Sequence, residues 1–232
     1  MLTIAELFDP GTDTRIRKGD QLWSRVANHL RHEIFTGQKV PGERLVETRI
    51  AAQVGVAQSS VREALHELER EGLVVRVPGV GARVTSLTPA QIEQIYALRV
   101  ELEGFAVELV GRKNCAADLD ALDSCLERCR DSIENDVAYM SADLQFHLEL
   151  WKRAGNEFLL ETVSRIVVPL FAFETRAVVP RLGPEERLES VAQHQRVIEL
   201  LRVKDIQGAR RAIAGMMTAF QQQTRGLSPA HP

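Results

Sequence analysis

The sequence predicts a mainly α-helical protein, in which an N-terminal winged helix-turn-helix precedes an antiparallel, all-helical bundle of six to seven helices. Three observations predict this class. Two short helical patterns are joined across Gly55, a hairpin pattern rich in β-branched residues follows, and amphipathic helical patterns fill the rest of the chain. At 232 residues, the chain is long enough for two domains.

Three helices are predicted in the first third of the chain. Their apolar stripes, each at helical spacing, are Leu22, Val26, Leu30 and Ile34; Val46, Ile50, Ala51 and Val54; and Val61, Ala64, Leu65 and Leu68. Gly37, Gly55 and Gly72 follow the three stripes and are placed to end the helices. The short step across Gly55 is typical of the tight turn that joins two helices at a steep angle.

A hairpin is predicted directly after the third helix. Residues 73–77 and 82–85 are rich in β-forming residues, and they flank a Pro-Gly-Val-Gly turn at 78–81. Three helices followed by a hairpin are the elements of a winged helix, in their usual order.

Six further helices are predicted after Thr88, which is a good N-cap and precedes a proline. Their amphipathic patterns cover residues 92–112, 116–135, 137–154, 158–179, 185–203 and 206–225. The short connections imply a bundle. We therefore expect a flexible tail (1–20), a winged helix-turn-helix domain (21–85), a linker (86–88), a helical domain (89–226) and a second flexible tail (227–232).

Composition restricts the class of protein. No apolar run approaches the roughly 20 residues that span a bilayer, and the first twenty residues lack the hydrophobic region of a signal peptide. The sequence therefore predicts a cytoplasmic protein without a membrane partner. The net charge of −3 neither supports nor refutes DNA binding, because a small module needs only a local basic surface.

The three cysteines are odd in number and clustered, which argues against a disulfide framework. Cys125 and Cys129 could share a helix face and hold a metal or form a redox pair. They also lie along an apolar stripe, and plain core packing is the interpretation that we prefer.

The third predicted helix has the features of a helix that reads DNA. Gln58, Ser59 and Ser60 place short polar side chains at its N-terminus, where a helix in the major groove reaches base edges. Arg62 follows one turn later and is long enough to reach a base or a phosphate. A small helical domain with a solvated polar face is the alternative, but the order of elements favours DNA.

GntR-family bacterial regulators have a DNA-binding domain that resembles the stretch PGERLVETRIAAQVGVAQSSVREALHELEREGLVVRVPGVGARV. The FadR-type effector-binding domain, called FCD, resembles the helical remainder, which carries LRVELE, DLQFH, AGNEFL and AQHQRVI in that order. The resemblance spans residues 21–225. It implies a homodimeric repressor or activator that binds double-stranded operator DNA at a short inverted repeat and responds to a small metabolite in its helical domain.

Carried over position by position, the resemblance implies DNA contacts at Thr48, Gln58, Ser59, Ser60, Arg62 and Gly79. The family usually has arginine at the positions of Thr48 and Gln58. Arginine suits guanine in bidentate readout, whereas glutamine suits adenine. We therefore expect an operator that departs from the usual family sequence, with Arg49 compensating for Thr48 from the neighbouring position.

Polar residues interrupt the apolar faces of the helical domain. Asp143 and His147 lie one turn apart on one face, and His194 lies on the apolar stripe of a later helix. Arg99 interrupts the stripe of the first bundle helix, where Glu103 is a candidate internal partner. Each group alone is more often structural. Four of them in one interior favour a binding site, because burying them without a purpose costs several kcal/mol.

The resemblance also implies a metal, because many FCD domains hold one through an aspartate, a histidine four residues later and two further histidines. Asp143, His147 and His194 match the first three ligands, whereas Met216 stands at the fourth and is not a usual ligand for zinc, nickel or manganese. Two outcomes are open: a three-residue site completed by water or an effector carboxylate, or a metal-free pocket with hydrogen-bonding histidines. In both, we expect Arg99 to pair with a small carboxylate effector.

Two other functions remain open for Asp143, His147 and His194. They could hold a catalytic metal for hydrolysis or oxygenation, or they could form a dedicated metal sensor. The enzyme alternative lacks a distinct nucleophile or general base, a phosphate loop and a Gly-rich cofactor fingerprint. We therefore expect a regulator and not an enzyme.

Overall fold

A computed structural model describes residues 22–224. The tails predicted at 1–20 and 227–232 lie outside the described residues. The described chain contains nine α-helices and one three-stranded sheet, which confirms the predicted fold class.

The N-terminal unit contains three helices and the whole sheet. Its elements are α1 (Leu22–Phe35), β1 (Arg44–Leu45), α2 (Glu47–Val54), α3 (Gln58–Arg70), β2 (Val74–Val77) and β3 (Gly81–Val84). The strand order is β1-β3-β2, and both pairs are antiparallel. The hairpin β2–β3 is the predicted one. Strand β1 was not predicted, because two residues show no alternation of polar and apolar side chains.

The turn between α2 and α3 has the predicted helix-turn-helix form. Gly55 ends α2 in the left-handed conformation, with φ of 73°, and its N–H donates to the carbonyl of Ala51 at 2.9 Å. Helix α3 begins three residues later at Gln58. The stripe of α3 that faces the domain is completely buried, and its members are Val61, Ala64, Leu65 and Leu68.

The helical unit contains six helices, as predicted. They are α4 (Pro89–Lys113), α5 (Ala116–Asp131), α6 (Asp136–Arg153), α7 (Glu157–Ala177), α8 (Pro184–Arg202) and α9 (Ile206–Thr224). Thr88 caps α4 in a reciprocal pair with Gln91. Cys125 and Cys129 are buried in the core, and burial raises the pKa of both thiols, which fits the packing interpretation. No helix between residues 22 and 224 is long and apolar enough to cross a membrane.

The two units meet at helix α7. A Cβ atom on Gly72 would lie 2.2 Å from the carbonyl oxygen of Arg165, so glycine is required where the loop after α3 contacts α7. Ile34 of α1 lines a small cavity together with Pro169 of α7. A cleft of about 270 Å³ beside this contact is lined by residues of α4 and α7, including Leu98.

Candidate DNA interface and buried charge cluster

The predicted DNA-contact residues lie on the surface of the N-terminal unit. Thr48, Arg49, Gln58, Ser59, Arg62 and Gly79 are exposed, and Ser60 is half-buried. The N-cap residue of α3 is Ala57, which makes no side-chain capping bond. The first N–H groups of this helix are therefore suited to bind a phosphate.

The hairpin tip is built on two glycines with positive φ. Gly79 has φ of 73° and Gly81 has φ of 99°, and a Cβ atom on either would meet nothing within 4 Å. The turn conformation by itself accounts for glycine at these positions. The open space at the tip is also compatible with close approach of a sugar-phosphate backbone.

One carboxylate joins two of the exposed DNA-contact candidates. Glu47 Oε2 accepts hydrogen bonds from Gln58 Nε2 at 2.9 Å and from Arg62 Nε and Nη2 at 3.2 and 3.1 Å. The bonds from Arg62 and then from Gln58 lower the pKa of Glu47. Sequence reasoning missed this residue, because its partners lie 11 and 15 positions away.

The four polar groups expected inside the helical unit come together there. Arg99 of α4, His147 of α6 and His194 of α8 are almost completely buried, and Asp143 of α6 is 9% exposed. His147 Nε2 lies 3.1 Å from Arg99 Nη2 and 3.2 Å from His194 Nε2. Asp143 Oδ1 lies 3.7 Å from His194 Nε2. We call these four residues, with Glu103 and Glu174, the buried charge cluster.

Glu103 is completely buried between two members of the cluster. Arg99 Nε donates to its Oε1 at 2.8 Å, and His147 Nδ1 lies 2.7 Å from its Oε2. Burial raises the pKa of Glu103, but its contacts with His147 and Arg99 outweigh burial and hold that pKa well below its usual range. The carboxylate is therefore ionised, and it is the internal partner of Arg99 that the sequence suggested.

Glu174 of α7 is a second internal acid, and the sequence analysis missed it. Its Oε1 lies 3.6 Å from Arg99 Nη1 and accepts a hydrogen bond from the hydroxyl of Tyr96. The Arg99 guanidinium also lies over the Phe171 ring, 4.7 Å from its centroid. Burial raises the pKa of Glu174 to about 7, although Arg99 opposes that change. An acid directly after the apolar run of residues 166–173 was the available signal.

Hydrogen bonds assign the protons of the two imidazoles. His147 donates through Nδ1 to Glu103, and its Nε2 accepts from Arg99, which has no acceptor atom. His194 donates through Nδ1 to the carbonyl of Ser190 at 2.8 Å, and burial lowers the pKa of His194 to about 4, so this ring is neutral. Both Nε2 atoms therefore carry lone pairs that face each other. Such an arrangement is favourable when a cation or a proton lies between them.

Asp143, His147 and His194 offer donor atoms that all lie within 4.8 Å of one another. Both histidines have their other N–H held by an acceptor, which is the usual outer arrangement of a metal-binding histidine. Two features argue against a complete four-ligand site. Arg99 donates to the same His147 nitrogen that would bind a metal, and Met216, buried on α9, offers only a thioether. The residues fit a three-ligand divalent site with open coordination positions.

The pKa of Glu174 leads to a prediction about stability against pH. A carboxyl group that titrates near 4.5 when unfolded and near 7 when folded contributes stability below pH 4.5, and this contribution is lost as the pH rises through 7. Glu174→Gln keeps a hydrogen-bond acceptor for Tyr96 but does not titrate. Between pH 4.5 and pH 8, the unfolding free energy of the wild type should therefore fall, relative to the variant, by on the order of 3 kcal/mol.

Urea unfolding followed by tryptophan fluorescence at intervals across this range measures the difference. The comparison removes the contributions of Glu103 and His194, which both proteins share. Stability curves that run parallel from pH 5 to pH 8 would show that Glu174 does not hold its proton in the folded protein.

Comparisons with known proteins agree with this architecture. The model of bacterial regulatory proteins of the gntR family matches residues 22–84, and the FCD domain model matches residues 94–219. The HTH-type transcriptional regulator McbR of Escherichia coli (strain K12) is 26% identical over 90% of this chain and 94% of its own. A gluconate operon transcriptional repressor of Bacillus licheniformis is 30% identical over 78% of this chain and 76% of its own. The solved structure of E. coli McbR/YncC superposes with a TM-score of 0.71 at 26% identity, covering 88% of this chain and 99% of that one.

Proposed function

This chain belongs to the gntR family of bacterial regulatory proteins and carries an FCD domain, and from this premise we propose that α3 reads operator DNA under the control of the buried charge cluster. The relatives and folds that it matches are transcriptional regulators, and the protein is a DNA-binding transcriptional regulator and not an enzyme. The division into 21–85, 86–88 and 89–226 stays a prediction. Repression is the favoured mode, since several relatives are named repressors.

The DNA contacts that we propose come from three elements of the winged unit. Gln58, Ser59, Ser60 and Arg62 of α3 meet base edges and phosphates, Thr48 and Arg49 of α2 lie beside them, and Gly79 marks the wing tip. The observation that carries this proposal is the polar, exposed face of α3 above its completely buried stripe.

Binding to the DNA upstream of the protein's own gene and its neighbours tests the proposal. We expect binding that is tighter than to unrelated duplex and that weakens steeply as salt rises, because phosphate contacts release counterions. Equal affinity for upstream and unrelated duplexes at every salt concentration would contradict it.

We propose that the buried charge cluster binds a divalent cation, namely zinc, nickel or manganese, through Asp143, His147 and His194. The supporting observation is the pair of facing Nε2 lone pairs. The charges of the cluster also favour a cation, because it contains one guanidinium, that of Arg99, and three carboxyl groups, those of Glu103, Glu174 and Asp143. A bound cation and the Arg99 N–H compete for one lone pair, so Arg99 would leave His147 and become available to an effector.

The effector that we propose is a small carboxylate. Arg99 offers a buried guanidinium for a charge-assisted pair, but it already pairs with Glu103 and lies 3.6 Å from Glu174. Glu174 is the partner that an incoming carboxylate replaces more easily, since its contact with Arg99 is longer and its pKa is near neutrality.

Helices α4 and α7 provide the path by which such a ligand would affect DNA binding. Arg99 of α4 and Glu174 of α7 belong to the cluster. Helix α7 also contacts the winged unit, through Pro169 and the Arg165 carbonyl beside Gly72, and Leu98 of α4 lines the cleft next to this contact. A shift of α7 on ligand binding would therefore move the surface on which the winged unit rests.

Metal content tests the cation proposal directly. Protein purified without chelator or nickel resin should carry about one divalent metal per chain, and His194→Ala should carry much less. Added zinc or nickel at about 100 times Kd should raise the melting temperature of the wild type by roughly 5–10 °C. His66→Ala, which removes an exposed histidine on α3, serves as the control and should behave as the wild type. Metal-free wild type with no thermal response would leave the metal-free pocket as the remaining form of the site.

We also propose a homodimer that buries one face of α4. Apolar side chains repeat along this helix at alternating steps of three and four residues, the spacing of a coiled-coil seam, and they are Ile95, Leu98, Leu102, Phe105 and Leu109. Leu98 is 51% exposed and Phe105 is 39% exposed, and a second copy of the chain would cover both.

Sedimentation equilibrium measures this association. Leu98→Glu should place a charge in the seam and convert the dimer to monomer, whereas Phe158→Glu, at an isolated exposed position on α7, should leave the dimer intact. A monomeric wild type at micromolar concentration would refute the proposed seam.

A further inference from the structure

We infer that Glu47 is a positioning residue for DNA reading, and that it holds the Gln58 amide in the orientation that reads adenine and rejects guanine. This inference rests on the proposed placement of α3 in the major groove. It adds a determinant of base preference that lies on α2, outside the recognition helix.

Glu47 is in a fixed position relative to α3. It is the first residue of α2, a helix that buries Ile50 in the core of the unit and ends at the Gly55 turn. Its side chain is 21% exposed, whereas that of Arg62 is 55% exposed. The carboxylate therefore lies partly beneath the surface from which Gln58 and Arg62 project.

An ionised carboxylate accepts hydrogen bonds and donates none, so the amide group of Gln58 must turn its NH₂ toward Glu47. This contact uses one of the two N–H hydrogens. The carbonyl Oε1 and the second N–H hydrogen are left to face another partner. The contact thereby excludes the flipped amide, in which Oε1 would face the Glu47 carboxylate and the whole NH₂ group would face outward.

The remaining acceptor and donor of Gln58 match one base edge. Adenine offers an N6 amine and the N7 acceptor in the major groove, which pair with Oε1 and with the second N–H hydrogen. Guanine offers two acceptors, O6 and N7, and O6 would oppose the Gln58 oxygen. The flipped amide could donate to guanine, and Glu47 removes that state.

Arg62 is oriented by the same carboxylate oxygen. Its Nε and Nη2 atoms face Glu47, so this edge of the guanidinium is occupied. The edge formed by Nη1 and Nη2 retains donors for a phosphate or a guanine. Glu47 thus orients two side chains of α3, those of Gln58 and Arg62, that we place against the DNA.

Selection from a library of duplexes with a randomised central segment tests the inference, using the full-length wild type, Gln58→Ala, Gln58→Arg and Glu47→Ala. The base pair that Gln58 reads is the one whose preference Gln58→Ala abolishes. At that position, we expect the wild type to favour adenine over guanine by about tenfold or more. Glu47→Ala should reduce this ratio to about twofold, while Gln58→Arg should favour guanine.

Glu67→Gln is the matched control, because it removes a carboxylate that pairs with Arg70 on the same helix, away from Gln58. It should keep the wild-type preference for adenine. A Glu47→Ala protein with the wild-type ratio, or a wild type that selects guanine, would overturn the inference while leaving DNA binding by α3 intact. A wild type that selects no sequence at all would overturn both this inference and the proposed function of α3.

Discussion

Arg62→Ala is expected to weaken binding to the selected operator by about 10- to 100-fold, the effect of removing one bidentate base contact or a close phosphate contact from a recognition helix. The side chain is exposed and pairs with the carboxylate of Glu47. Its removal should therefore change the unfolding free energy by less than about 1 kcal/mol. Fluorescence anisotropy with labelled operator, at two salt concentrations, measures the loss.

Arg70→Ala provides the matched control for this substitution. Arg70 ends α3, is exposed and pairs with a glutamate, but it lies two turns beyond Arg62. The control should bind the operator nearly as the wild type does. If Arg62→Ala binds as tightly as Arg70→Ala, the N-terminal half of α3 does not face the DNA.

Glu103→Ala should destabilise the helical domain by about 3–5 kcal/mol, since it removes one partner of a buried ion pair. Glu103 is completely buried and accepts from both Arg99 and His147. After its removal, the only carboxyl group left beside the guanidinium among the described residues would be that of Glu174, at the longer distance. Urea unfolding monitored by circular dichroism should show a lower midpoint with an unchanged slope.

Glu101→Ala on the same helix separates the effect of burial from that of losing an acid. Glu101 pairs with Arg210 on the surface, and such exposed pairs contribute roughly 0–1 kcal/mol. Similar losses for the two variants, both below 1 kcal/mol, would show that the cluster is not the tightly paired interior described above.

The sequence predicted the helices well because their apolar stripes are long and regular. It also predicted the helix-turn-helix, because Gly55 needs a conformation that few other residues adopt. It identified Arg99, Asp143, His147 and His194 as inward groups, since polar residues on an apolar stripe are visible without coordinates. Strand β1 was missed because it has only two residues and is defined by its pairing with β3.

The partners of these groups were harder to predict than the groups themselves. Glu103 lies one turn from Arg99 on the same helix, so local spacing was enough to suggest it. Glu174 lies on α7, and only the packing of α4 against α7 brings it to Arg99. Glu47 meets Gln58 and Arg62 across the helix-turn-helix for the same reason. Contacts made by tertiary packing leave no periodic pattern in the sequence.

These partners change how the arginine of the cluster is understood. The sequence alone suggested that the Arg99 guanidinium is available to pair with an effector acid. In the folded protein, two carboxyl groups lie beside it, and its third polar neighbour is a histidine nitrogen. Under the proposed mechanism, an effector acid would have to compete with these internal groups for Arg99.

The most direct test of the account is the affinity of the wild type for its operator, measured with chelator, with zinc or nickel, and with metal plus a panel of small carboxylates. We expect at least one addition to change Kd by tenfold or more. The Asp143→Asn and His194→Ala variants should lose this change while they still bind the operator. A response to metal alone would identify a metal sensor, and a response that requires an acid would identify a metabolite regulator. Identical operator affinity under every condition, in a protein shown to bind these ligands, would contradict control by the buried charge cluster.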